Sequence, residues 1–145
     1  MAKPFVVRRG WLKFMYGYTI VGAGGFGLGI VLMPKAIRGV LGWPGGDPLA
    51  VGVMGSVYVA FAALSVLGLR DPLKLAPVLL LQLCYKSVWF AGVVVPLALT
   101  GRFQDYGIYG VLIAVLFATY IIGDLIAIPF RYLLAPASST QPSAA

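Results

Sequence analysis

Lys86 stands in the middle of one apolar run, Leu75 to Thr100, and Asp124 stands inside another, Tyr106 to Phe130. An ammonium at the centre of a membrane span costs at least about 2.5–3.5 kcal/mol by insertion scales, so a chain that keeps one there must neutralise it, hydrate it or use it. Gln82, Lys86 and Trp89 share one helical face at i, i+4 and i+7, with Tyr85 and Ser87 beside it. Tyr120 and Asp124 share a face of the last run, and Tyr58 lies near mid-depth in the second run with Ser65 seven residues on. If these faces converge, the interior is polar and centred on Lys86. The expected site residues are Lys86, Asp124, Gln82, Tyr120, Tyr58, Trp89 and Tyr85. Asp124 falls roughly 9 Å toward the cytoplasm from mid-span at 1.5 Å per residue. The two side chains lean toward each other, and the lysine stem is expected to close most of that gap.

Two chemistries follow. One is an ion pair with no further role. The other is a pair beside a water-filled or ligand-filled cavity, where Lys86 holds an anionic headgroup or carboxylate and Asp124 sets its protonation. A proton relay through Tyr120 or Tyr58 carries less weight.

The elements that must position these residues are four apolar runs: Phe14 to Met33, Leu49 to Leu69, Leu75 to Thr100 and Tyr106 to Phe130. Each reaches the ~20 residues that a helix needs to cross ~30 Å of hydrocarbon. None alternates as a barrel strand would. The fold class expected is all-α, a four-helix transmembrane bundle with antiparallel neighbours and short loops. Residues 1–135 form one membrane domain and 136–145 a disordered tail.

Composition agrees. The 145 residues are 61% hydrophobic and only 10% charged, against roughly 25% charged in soluble domains. The net charge of +7 sits at the ends of the apolar runs rather than along one polar face, which fits lipid headgroups and not nucleic acid. No histidine is present, and the single cysteine, Cys84, excludes an internal disulfide. In its apolar setting Cys84 reads as a small hydrophobe. No cofactor and no metal are expected. The expected partners are the lipid bilayer and either a second copy or a larger membrane complex.

Three acidic residues have helix-start positions. Asp47-Pro48 and Asp71-Pro72 each supply an acidic N-cap before a first-position proline, and Asp105 stands similarly before the last run. Lys3, Arg8, Arg9, Lys13, Arg70, Lys74 and Arg131 outnumber Lys35, Arg38 and Arg102, so both termini are expected in the cytoplasm. The stretch from Pro34 to Asp47 is expected in the outer interface, with Trp43 at headgroup level and Pro44-Gly45-Gly46 as a turn. Trp11, Tyr16, Tyr18, Phe103, Tyr106, Tyr109 and Tyr132 read as interfacial belt residues. Phe5, Val6, Val7, Trp11 and Leu12 interleave with basic residues as an interfacial lead-in. Arg8-Arg9 resembles a twin-arginine export signal, but no cleavage site follows and further spans do.

Small residues mark close helix contacts: Gly25 and Gly29, then Gly52, Ser56 and Ala60, then Gly110, Ala114 and Ala118, with Gly123 and Ala127. They serve either the internal bundle or a second subunit, and the internal bundle is the favoured reading. Gly22 to Gly27 matches GxGxxG in letters only, since no strand precedes it. Pro96 is expected to kink the outer end of its helix.

Pro34 after the first run, the stretch Lys35 to Trp43 ending at Pro44 to Gly46, and the Arg70-Asp71-Pro72 link form a layout. It resembles small four-span bacterial membrane proteins of the DoxX-like group. The resemblance implies a four-helix bundle in a bacterial inner membrane and no single activity. A non-enzymatic accessory or lipid- or small-molecule-binding bundle ranks first. An oligomeric transporter or channel using Lys86 and Asp124 ranks second, and a membrane enzyme last, because no nucleophile stands beside a base.

Overall fold

A continuous apolar segment in lipid must satisfy its own backbone hydrogen bonds, so it folds as a helix. The computed structural model describes residues 7–42 and 46–135. In it the runs become α1 Arg9–Leu32, α3 Pro48–Arg70, α4 Ala76–Leu99 and α5 Arg102–Ala127, four helices long and apolar enough to cross a membrane. Two short helices, α2 Pro34–Leu41 and α6 Phe130–Leu133, follow α1 and α5. The described residues contain no strand. The readings of Phe5, Val6, Trp43, Pro44, Gly45 and the tail from Pro136 fall outside the described residues.

Helix ends follow local chemistry. Met33 takes φ −135° and ψ 55°, because a residue before proline is pushed out of the helical region. Pro34 then opens α2, and Gly42 closes it in the left-handed conformation at φ 61°. Ile128, before Pro129, is extended at ψ 124°, so α5 stops at Ala127 instead of reaching Phe130. Asp47 caps α3 as expected: its Oδ2 accepts the Ala50 N–H at 3.1 Å, with Pro48 in the first turn. Replacing Asp47 with alanine should lower stability by about 1 kcal/mol, and asparagine should retain most of it. Thermal unfolding in micelles would measure both.

Two other expected caps are corrected. Asp71 accepts from the Lys74 N–H at 3.4 Å and opens the connecting turn, while α4 begins only at Ala76 with no side-chain cap. Asp105 lies inside a tight helical turn, Arg102–Tyr106, entered through left-handed Gly101 (φ 71°), and it caps nothing.

α1 is the central element. It packs along α3 and, through its first half, against α5, while α4 lies against α5 and touches α3 sparingly. In lipid no hydrophobic effect draws helices together, so close backbone approach and van der Waals contact must do so. Gly27 supplies a close approach to backbone: a Cβ there would lie 2.7 Å from the Gly55 carbonyl oxygen. Gly24 meets the Ala62 methyl in the same seam. The seam therefore uses Gly24, Gly27 and Gly55. The expected pairs are partly corrected: Gly25 and Gly52 have no neighbour within 4 Å, Ser56 and Ala60 face outward, and Gly29 makes room for Ile37 of α2.

Tyr16 is a further correction. It is wholly buried instead of interfacial, packed over Gly68, and its hydroxyl donates to the Pro72 carbonyl at 2.8 Å. That bond ties α1 to the turn between α3 and α4. Cys84 is exposed on the outer face of α4.

Candidate functional site

Two of the long helices carry a wide π-type turn beside the polar centre, Ile20–Gly24 in α1 and Phe90–Val94 in α4. The second precedes Pro96, whose missing N–H interrupts the normal ladder. In the first, the slipped ladder leaves backbone groups without their usual partners. The Tyr120 hydroxyl stands in: it donates to the Tyr18 carbonyl at 3.1 Å and lies beside the Ala23 amide. Gly22 makes this possible, since a Cβ there would collide with that hydroxyl. Tyr120 is thereby locked between α5 and α1, and its ring becomes the floor under Lys86.

Lys86 is 1% exposed. Its Nζ donates to the Tyr85 hydroxyl at 2.8 Å. It also lies 4.1 Å from the Tyr120 ring centroid, 4.5 Å from that of Tyr85 and 5.2 Å from that of Phe117. A cation over a desolvated aromatic face gains on the order of 2 kcal/mol. The Tyr120 and Phe117 rings and the Tyr85 hydroxyl form an aromatic cage for the ammonium.

The direct Lys86–Asp124 ion pair is not formed; no carboxylate oxygen lies within 4.0 Å of the ammonium. The register explains this. Gln82 of α4 is level with Asp124 of α5, and its Nε2 donates to Asp124 Oδ2 at 3.3 Å. One turn further along α4, Lys86 is level with Tyr120, and Trp89 with Phe117, whose ring centroid is 4.9 Å away. Asp124 is thus one helical turn from the ammonium, and the lysine stem turns to the rings instead of crossing that turn. Thr19 completes the carboxylate's group: Gln82 Nε2 donates to Thr19 Oγ1 at 3.2 Å, and Thr19 Oγ1 donates to the Met15 carbonyl at 2.9 Å. Thr19, Gln82 and Asp124 are all fully buried. Among the described residues, Asp124 Oδ1 and Ser65 Oγ have no hydrogen-bond partner, and both are buried.

All seven expected residues lie in the interior, in two groups. Gln82 and Asp124 join Thr19. Lys86 sits in the cage that Tyr85 and Tyr120 help to form, with Tyr58 beside Tyr85 and half-buried Trp89 near Phe117. The Tyr58 hydroxyl faces that of Tyr85. Sequence reasoning missed Thr19 and Phe117. Phe117 is three residues before Tyr120 on the same face, and that spacing was the available signal.

Beside Lys86 is a chamber of about 20 Å³, lined by Gly22, Tyr85, Phe117 and Tyr120 among others. That is room for about one water. It shares Phe26, Tyr58, Tyr85, Ile113 and Phe117 with a half-open crevice of about 310 Å³, which Met54, Trp89 and Tyr109 also line. Its walls are aromatic and apolar, and Lys86 lines only the smaller chamber.

Fold and site together define a small all-helical bundle with four helices long and apolar enough to cross a membrane. No family model, curated protein or solved structure matches the chain.

Proposed function

We propose that this chain is a small multi-pass integral membrane protein that binds a small, largely apolar ligand in the crevice before Lys86. In this reading neighbouring spans run antiparallel and both termini face the cytoplasm, as the lysine and arginine distribution requires. The DoxX-like layout and a bacterial inner membrane belong to the same reading.

The observation that carries it is the crevice of about 310 Å³ lined by rings, whose Tyr58, Tyr85 and Phe117 also line the small chamber beside buried Lys86. Ligand sites are mostly apolar clefts, from about 300 Å³ upward, with a few converging polar groups. Here the ammonium, backed by the Tyr85 and Tyr58 hydroxyls, would hold an electron-rich end, a carboxylate or a carbonyl oxygen, while the rings take a flat apolar body. Binding is favoured over passage because fully buried Thr19, Gln82 and Asp124 close the bundle beyond Lys86.

Native mass spectrometry of the protein extracted with its lipids should reveal a retained small molecule. Titration with 2-naphthoate, a flat carboxylate, tests the chemistry directly. Lys86→Met should weaken its binding at least about tenfold, the loss expected for a hydrogen bond to a charged group. Equal affinity in the two proteins would remove Lys86 from the site. Proton or anion flux from liposomes would favour a channel instead.

A further inference from the structure

The outer side of α3 carries a second concavity, which shares only Val57 with the crevice. It is a groove of about 840 Å³ between α3, the end of α1 and α2. Its floor is Val31, Val53, Val57 and Ala60, with Lys35 and Arg38 at one end. Ile37 seats against Gly29 and fixes α2 at this angle, which leaves Lys35 and Arg38 on the groove side. The Ser56 hydroxyl is spent on the Gly52 carbonyl at 2.9 Å, so the floor offers no free donor. No carboxylate lines the groove. Among the described residues, the hydrogen bond of the Arg38 side chain is a long one, Nη2 to the Gly46 carbonyl at 3.4 Å.

We infer that this groove is a binding site for one anionic phospholipid, with its phosphate between Lys35 and Arg38 and an acyl chain along α3. Two observations select this occupant. The cations stand at one end only, which matches an amphipathic molecule with one charged head. The floor from Pro48 to Ala60 runs about 18 Å at 1.5 Å per residue, close to the ~15 Å of hydrocarbon in one leaflet. A second copy of the chain docked here about a twofold axis would bring its own two cations toward these. The small-residue line Gly52, Ser56 and Ala60 lets the acyl chain lie close to the α3 backbone.

The test uses the full chain in nanodiscs of phosphatidylglycerol and phosphatidylcholine with identical acyl chains, read by native mass spectrometry after release. The wild type should retain one phosphatidylglycerol on the order of tenfold over phosphatidylcholine, as expected for two cations near the headgroup. K35Q/R38Q, changing two side chains outside the bundle interior, should bring that ratio near one. R70Q/K74Q, at the other end of α3, should leave it unchanged. A wild-type ratio near one overturns the inference, as does a preference that survives K35Q/R38Q or that R70Q/K74Q abolishes. Retention of glycerol 3-phosphate as strongly as the lipid overturns the acyl-chain part. A lipid-free dimer whose mass is lost in an Ala60→Trp variant assigns the groove to a second copy.

Discussion

Leucine at Gly27 is expected to destabilise the bundle by about 3 kcal/mol or more, the upper part of the range for overpacking. The obstacle is backbone. A Cβ at Gly27 would sit 2.7 Å from the Gly55 carbonyl oxygen and 2.9 Å from the Val59 nitrogen, and 2.8 Å from the Tyr58 Cβ. None of these can swing aside as the end of a long side chain could, so α1 and α3 must separate. Separation would also withdraw Tyr58 and Phe26 from the crevice. Gly25→Leu is the control, because nothing lies within 4 Å of that position. Helix propensity alone should make that change neutral or mildly stabilising. Thermal unfolding of both variants in micelles would measure the contrast. Equal melting temperatures would show that the seam is not where the bundle is held.

The same seam shows what the sequence could and could not convey. The four spans were legible because crossing a membrane is a local requirement of length and apolarity. The Asp47-Pro48 cap was legible for the same reason. The similar pair Asp71-Pro72 misled, since whether a helix starts there depends on tertiary contact. The Pro72 carbonyl receives the Tyr16 hydroxyl, and helix begins only at Ala76. Small-residue spacing was legible, but its direction was not. A span is apolar on its lipid face and its buried face alike, so Gly25 and Gly27 look equivalent until the helices are docked. The polar residues were legible individually, because each is costly in lipid. Their pairing depended on helix register to within a single turn, about 5.4 Å. Depth counted along four runs does not reach that resolution, and a lysine stem can reach either way.

Register also decides what Asp124 does, and a pair of double-mutant cycles should expose it. Asp124→Leu combined with Gln82→Leu is expected to show coupling of about 1.5–3 kcal/mol, the range of a hydrogen bond to a charged group. Asp124→Leu combined with Lys86→Met should show the smaller coupling, because ammonium and carboxylate interact only through space across one turn. Lys86→Met alone should leave stability nearly unchanged. It removes two ring contacts and one hydroxyl bond, and it also removes the cost of keeping a charge out of water, so gain and loss offset. Stability and ligand binding would then separate at this residue: the protein remains folded and the crevice loses its polar end. Should the Lys86 cycle give the larger coupling, the ammonium leaves its aromatic cage for the carboxylate in the bilayer. The crevice would then end at neutral tyrosines, and a ligand with an electron-rich end would have no cation to meet there.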